Sequence, residues 1–320
     1  MSRVSSLIRK VLGASKHPPK PPGGVELGMT VRSEQTFCRH FTRDRYTAQG
    51  EIVDLGCWMG ATTISFSKGL RQTTRLTGEQ IRKRIHSYDL FRWHPSMEAN
   101  VQGTPLAGKY REGESFLPEF ERRTAQYQEY FTVHPGNLNE HPWTGGSIEM
   151  LFIDAMKWSD TAQSIVRGFY PHLIPGVSLV AHQDFAHFYT GWIHLIQYRL
   201  RDYFDCDSEV KRSCTVVFKL KQAIPQKLLE RDCMLENADL AEINAAFDYS
   251  ASIVSRDKQE QIAAARAMTH VHRGELDLAE KVAREFMWTH VGDYLYRGQR
   301  PDMVDLRTEV ETARRAASSS

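Results

Sequence analysis

From about residue 50, short apolar runs rich in β-branched and aromatic residues alternate with segments whose apolar positions recur every three or four residues. The first pattern reads as buried strands and the second as helices with one apolar face, which together predict helices packed on a parallel sheet. Strands are expected at 51–55, 84–90, 130–134, 148–154 and 177–182, with helices at 61–71, 116–128, 161–172 and 191–203. A last alternating run at 214–220 closes what reads as one doubly wound, mostly parallel α/β domain. Beyond about Pro225 the chain becomes Ala-, Glu- and Leu-rich without further strand signal. Residues 261–268 and 276–286, joined at Arg273-Gly-Glu, predict a helical hairpin. One hairpin cannot bury its own faces, so it must pack on the α/β part or across a dimer. The tail from Arg314 to Ser320 is expected to fray.

Before the α/β pattern starts, Val4, Leu7, Ile8, Val11 and Leu12 fall at helical spacing, with Arg3, Arg9 and Lys10 outside the stripe. This is a short basic amphipathic helix; residues 3–12 could graze an anionic membrane or dock on the protein's own domain or a partner subunit. The proline-rich stretch 16–24 reads as a stiff linker. The chain therefore divides into an N-terminal helix and linker (1–27), an α/β domain (28–224) and a helical extension (225–320), the last a candidate homo-oligomer contact. Its 320 residues, 41% hydrophobic and 25% charged, have an ordinary globular composition. Lys and Arg number 41 against 39 Asp and Glu, a formal charge of +2, from which no general attraction for nucleic acid follows and no nucleic-acid partner is expected. The five cysteines, Cys38, Cys57, Cys206, Cys214 and Cys233, lack C-x-x-C spacing, which speaks against a disulfide framework or zinc knuckle. No apolar run is long enough for a membrane span or a signal-peptide core, so a soluble, cytoplasmic protein is expected.

The most informative segment is Glu51-Ile-Val-Asp-Leu-Gly-Cys-Trp-Met-Gly60, a strand ending in an acid and followed by two glycines. Glycines there permit a strand-to-helix turn tight enough for backbone to approach a ligand, with a helix N-terminus behind it. On Asp54, Gly56 and Gly60 the chain resembles class I S-adenosylmethionine (SAM)-dependent methyltransferases, whose fold is Rossmann-like. Trp58 stands where the commonest pattern has a middle glycine, as in macrocin-type sugar O-methyltransferases with E-x-G-x-W-x-G. The resemblance implies that Asp54, Gly56, Cys57, Trp58 and Gly60 line the cofactor. Asp89, closing the next strand in His86-Ser-Tyr-Asp-Leu-Phe, would accept the ribose hydroxyls. Asn137, after the third strand, would lie near the adenine or, alternatively, bond its own backbone in a turn.

Methyl transfer to a hydroxyl needs an aligned acceptor oxygen and a group that makes it more nucleophilic, either a divalent cation or a base. Leu151-Phe-Ile-Asp-Ala-Met-Lys157 resembles the D-x-x-K segment of catechol-type metal-dependent O-methyltransferases, which implies Asp154 as a metal ligand and Lys157 at the acceptor oxygen. The next strand ends in His182-Gln-Asp184, where that family places its other metal ligands. A gapless match puts His182 and Gln183 on the acid positions, and a one-residue shift uses Gln183 and Asp184 instead. Asp154, Gln183 and Asp184 are thus the candidate ligands for Mg²⁺ or Mn²⁺, with Lys157 or His182 as the base of a metal-free alternative. The aromatic stretch 185–194 could stack on an acceptor or form the buried stripe of the next helix. The function implied is O-methylation of a small molecule such as a sugar, glycoconjugate or secondary metabolite. A nucleic-acid methyltransferase and a fold that has kept only a binding or assembly role are the other readings, the first opposed by the balanced charge and by Asp154-Ala-Met-Lys standing where amino-group enzymes carry [DN]-P-P-[YF].

Overall fold

The computed structural model describes residues 26–289 and 301–318. The helix expected at 3–12, with any membrane contact through it, and the linker at 16–24 lie outside the described residues. Seven strands form one sheet: β1 (Glu51–Leu55), β2 (Ile85–Asp89), β3 (Phe131–Pro135), β4 (Ile148–Ile153), β5 (Leu179–His182), β6 (Phe204–Glu209) and β7 (Val216–Leu220). Their order is β3-β2-β1-β4-β5-β7-β6. β1 pairs in parallel with β2 and β4, β2 pairs in parallel with β3, and β6 runs antiparallel to β7. This is the mostly parallel, Rossmann-like α/β sheet that the strand and helix alternation predicts.

The chain forms two compact units. The first takes the described part of Met1–Ala155 together with His172–Ala181. Its helices are α1 (Arg32–His40), α2 (Ala61–Gln72), α3 (Glu98–Val101) and α4 (Leu117–Thr124). Every residue of β4 is buried, as expected of a strand covered on both faces, which is why its sequence is apolar without alternation. Glu149 is the polar exception. Its carboxylate accepts the backbone N–H groups of Thr47 (2.6 Å), Gln49 (2.9 Å) and Gly50 (3.3 Å), fixing the loop that enters β1.

The second unit takes Met156–Pro171 and the described part of His182–Ser320. It contains α5 (Ser159–Phe169), α6 (Gly191–Arg199), α7 (Gln226–Leu229), α8 (Leu240–Ser252), α9 (Arg256–His272), α10 (Leu276–Thr289) and α11 (Pro301–Ser318). The expected hairpin is α9–α10, turned at Gly274 in the left-handed region (φ 75°) and tied by the His270 ring to Glu275 at 2.8 Å. The C-terminal helices pack on the strands and helices of this unit. Buried Lys258 of α9 donates to the carbonyls of Val210 (2.9 Å) and Ser213 (2.5 Å), and Arg199 of α6 makes a bidentate pair with Glu242 of α8. The fraying expected from Arg314 is corrected: α11 continues to Ser318, where Arg314 pairs with Asp277 and Glu280. The five cysteines are free thiols. Among the described residues no helix is long and apolar enough to cross a membrane.

Candidate functional site

The turn between β1 and α2 is built as its glycines predict. Gly56 has φ 83°, and a Cβ there would lie 2.5 Å from the Asp154 carbonyl oxygen. Gly60 (φ 84°) starts α2, and a Cβ there would lie 2.7 Å from the Thr124 methyl. Trp58 adopts φ 41° without being glycine, a backbone conformation that costs free energy and is held by its surroundings. Here the N–H groups of Gly56 (2.8 Å) and Cys57 (3.1 Å) donate to the Tyr88 carbonyl, and the Trp58 N–H donates to Asp89 at 2.8 Å. The Trp58 ring is buried, and among the described residues its Nε1–H has no hydrogen-bond partner. Burial pushes the Cys57 thiol up, so it is neutral.

Asp54 is engaged within the protein. It is fully buried, and its carboxylate accepts the Thr62 hydroxyl (2.7 and 2.9 Å) and the Thr63 hydroxyl (2.8 Å) of α2. Thr63 also bonds Ser87 on β2 (2.8 Å), so Asp54 braces two strands and the helix behind the turn. Burial pushes its pKa up to about 6, against the opposing pull of the two hydroxyls. The folded protein therefore holds a proton that the unfolded chain, titrating near pH ~3.9, has lost. The stability from this group is complete below about pH 3.9 and is lost as the pH rises through 6, a swing of about 2–3 kcal/mol. Asp54→Asn, which keeps an acceptor for both hydroxyls, should gain stability relative to wild type at pH 8 and not at pH 4. Urea denaturation at the two pH values measures this, and an equal difference at both would refute it.

Asp89 is half-buried at the carboxyl end of β2. Besides the Trp58 N–H it accepts the Phe91 N–H at 2.7 Å; burial raises its pKa while these bonds lower it. Asn137 is exposed, and its side-chain oxygen accepts the Asn139 N–H (3.1 Å), the turn alternative. Asp154 follows β4, donates its N–H to the Leu55 carbonyl (2.8 Å) and presents its own carbonyl to Gly56. Two contributors escaped sequence reading. Arg123 of α4 donates to the carbonyls of Met59 (3.1 Å) and Leu27 (3.4 Å). A Cβ on Gly28 would lie 2.4 Å from the Ala61 Cβ. Residues 26–30 are thereby strapped over the start of α2, a contact no local pattern encodes.

In the second unit Lys157 and Asp184 come together. The exposed Lys157 ammonium is hydrogen-bonded to the buried Asp184 carboxylate. The Asp184 carbonyl in turn accepts the Thr190 hydroxyl (2.7 Å) and the His187 N–H (3.0 Å), which folds 184–190 into consecutive turns. Trp192 donates its indole N–H to the Met156 carbonyl (2.9 Å), fixing the residue before Lys157. His182 is 1% exposed, with Nε2 at 3.1 Å from the Tyr170 hydroxyl. Burial pushes its pKa down to about 4, opposed by Asp184, so it is neutral at physiological pH. Gln183 is half-buried. Phe185, Phe188, Tyr189 and Trp192 are all buried, which favours the apolar-stripe alternative for 185–194. The divalent-cation expectation finds no support: among the described residues no group of three or more His, Cys, Asp and Glu side chains is placed to hold a metal ion. The Asp184 carboxylate is instead engaged by an ammonium.

Residues 53–183 match a family model described as a methyltransferase domain. No curated protein compared with the chain matches it. Among solved structures, a Pyrococcus horikoshii protein described as an RNA methyltransferase is 11% identical, covering 69% of this chain and 98% of its own, at a TM-score of 0.36. A 23S rRNA methyltransferase is 11% identical, covering 88% and 98%, at a TM-score of 0.36. The O-MT segment of StiE is 11% identical, covering 73% and 69%, at a TM-score of 0.33. Two of these three descriptions name RNA methyltransferases, so the expectation of no nucleic-acid partner is corrected: a net charge of +2 does not exclude that acceptor class.

Proposed function

We propose that the protein is a cytoplasmic SAM-dependent O-methyltransferase acting, without a metal, on a hydroxyl of a small molecule such as a sugar, glycoconjugate or secondary metabolite. The observation that carries the reading is the β1–α2 turn, with Gly56 and Gly60 at positive φ and the half-buried Asp89 beside it. The turn fits SAM in three respects. Its backbone is open to close approach, Asp89 retains acceptor capacity beyond its backbone N–H bonds, and the Trp58 Nε1–H is a buried donor in want of an acceptor among the described residues. Asp89 would take the ribose hydroxyls and residues 56–60 the methionine end, with Asp54 bracing the turn from behind and Asn137 beyond β3 on the adenine side. Bound there, SAM supplies an electrophilic methyl group on sulfonium sulfur.

The chain's own contribution on the acceptor side is the Lys157–Asp184 pair. Lys157 donates a hydrogen bond to the acceptor oxygen and orients it. The proton of the acceptor hydroxyl would pass to the Asp184 carboxylate as its oxygen takes up the methyl group. His182, committed to Tyr170 and nearly inaccessible, supports this loop from within. Incubation of the full chain with methyl-labelled SAM and a panel of polyols, glycosides and phenols, with an RNA transcript as a separate arm, tests the reading. Transfer to a hydroxyl compound, undiminished in excess EDTA, is expected. Label on RNA alone, or activity abolished by EDTA and restored by Mg²⁺, contradicts it.

A further inference from the structure

The C-terminal helices reach the loop that carries Asp184, and they do so at its least adaptable points. Gly191, the first residue of α6, lies against Thr269 of α9 so closely that a Cβ would come 2.1 Å from the threonine hydroxyl oxygen and 3.1 Å from a Leu235 methyl. Two residues earlier, the Tyr189 ring stacks on His272 near the end of α9, with centroids 6.1 Å apart and planes 29° apart. The Thr269 hydroxyl is itself fixed by the Ala265 carbonyl at 2.9 Å, so the surface offered to Gly191 is rigid. Between these contacts and the ion pair lie only the consecutive turns closed by Thr190 on the Asp184 and His187 carbonyls (2.7 and 3.0 Å). Trp192, the residue after Gly191, holds Met156 beside Lys157. One short stretch, 189–192, is thus bound to α9 on one side and, on the other, to Asp184 and to Met156, the residue before Lys157.

We propose that α9 positions the Lys157–Asp184 pair through Thr269 and His272, so that the helical C-terminal segment is a working part of the acceptor side rather than an appendage. The assignment of that pair to the acceptor rests on the function proposed above; the mechanical link from α9 to the pair does not.

The test uses the full chain and reads Lys157 directly. The rate of Lys157 modification by trinitrobenzenesulfonate, followed by peptide mass spectrometry between pH 7 and 10, reports how firmly Asp184 holds the ammonium. Gly191→Ala keeps an allowed backbone conformation but collides with Thr269, and it should raise the Lys157 rate at pH 8 by about tenfold, the scale of one charge-assisted hydrogen bond. Thr269→Ala alone removes the surface that Gly191 rests on and should raise the rate by about two- to threefold, and Gly191→Ala/Thr269→Ala should fall back to the Thr269→Ala value, because the colliding oxygen is gone. A wild-type rate in Gly191→Ala, or a double variant as fast as Gly191→Ala, overturns the proposal. Should Gly191→Ala fail to fold, His272→Ala takes its place: faster modification supports the link and a wild-type rate overturns it. SAM titration of the wild-type chain separates the two ideas, since absence of binding there refutes the methyltransferase reading while leaving the labelling result to decide the link.

Discussion

Gly56→Val removes SAM binding, with affinity reduced by at least about a hundredfold, and lowers stability by about 2–4 kcal/mol. Two costs combine. The residue sits at φ 83°, a region that side chains seldom occupy and β-branched ones least of all. In addition its Cβ would lie 2.5 Å from the Asp154 carbonyl oxygen and 2.9 Å from the carbonyl carbon. Both are backbone atoms of the strand end beside β1, so neither can rotate aside. The turn must shift, and the bonds from the Gly56 and Cys57 N–H groups to Tyr88 go with it, as does the placing of Trp58 on Asp89. Gly78 is the control, since it also has positive φ (54°) but nothing within 4 Å of its Cβ position. Gly78→Ala should cost only about 1 kcal/mol and leave SAM affinity unchanged. Urea denaturation and titration calorimetry on both variants measure the difference, and wild-type affinity in Gly56→Val would refute the role given to the turn.

The second large effect falls on turnover alone. Lys157→Met should lower kcat by about 10²–10⁴-fold, the usual range for losing a group that assists proton transfer. Lys157 is exposed and pairs with Asp184, whereas the β1–α2 turn is held by its own backbone bonds to Tyr88 and Asp89, so SAM affinity should be unchanged. A substitution that merely loosened the fold would weaken both. Turnover within about threefold of wild type would rule out the ion pair as the acceptor-side machinery.

The parts legible in sequence are those whose signal is local. The apolar runs gave the strands of the parallel sheet, and glycines at 56 and 60 announced the turn because no other residue is comfortable at their φ values. What failed was either non-local or disguised. β6, Phe-Asp-Cys-Asp-Ser-Glu, reads as a polar loop because it lies at the edge of the sheet, where one side needs no apolar cover. The acid Asp54 was visible, but its engagement by Thr62 and Thr63 depends on how α2 lies behind the strand. At 182–184, spacing left two registers open for ligands, and side-chain direction separates the residues: His182 turns inward to Tyr170 and Asp184 meets Lys157. The metal was inferred from acids at two strand ends, a pattern that is silent on whether their oxygens converge. Arg123, Gly28 and the Gly191–Thr269 contact join segments far apart in the chain, and nothing in a single sequence marks them.

The claim on which the whole account stands is that the β1–α2 turn and Asp89 form a SAM site. Calorimetric titration of SAM into the wild-type full chain tests it without knowledge of the acceptor. Micromolar binding at one site per chain, lost in Gly56→Val and weakened in Asp89→Ala, is the predicted result; a wild-type chain that binds no SAM, or variants that bind it as tightly as wild type, would contradict the account.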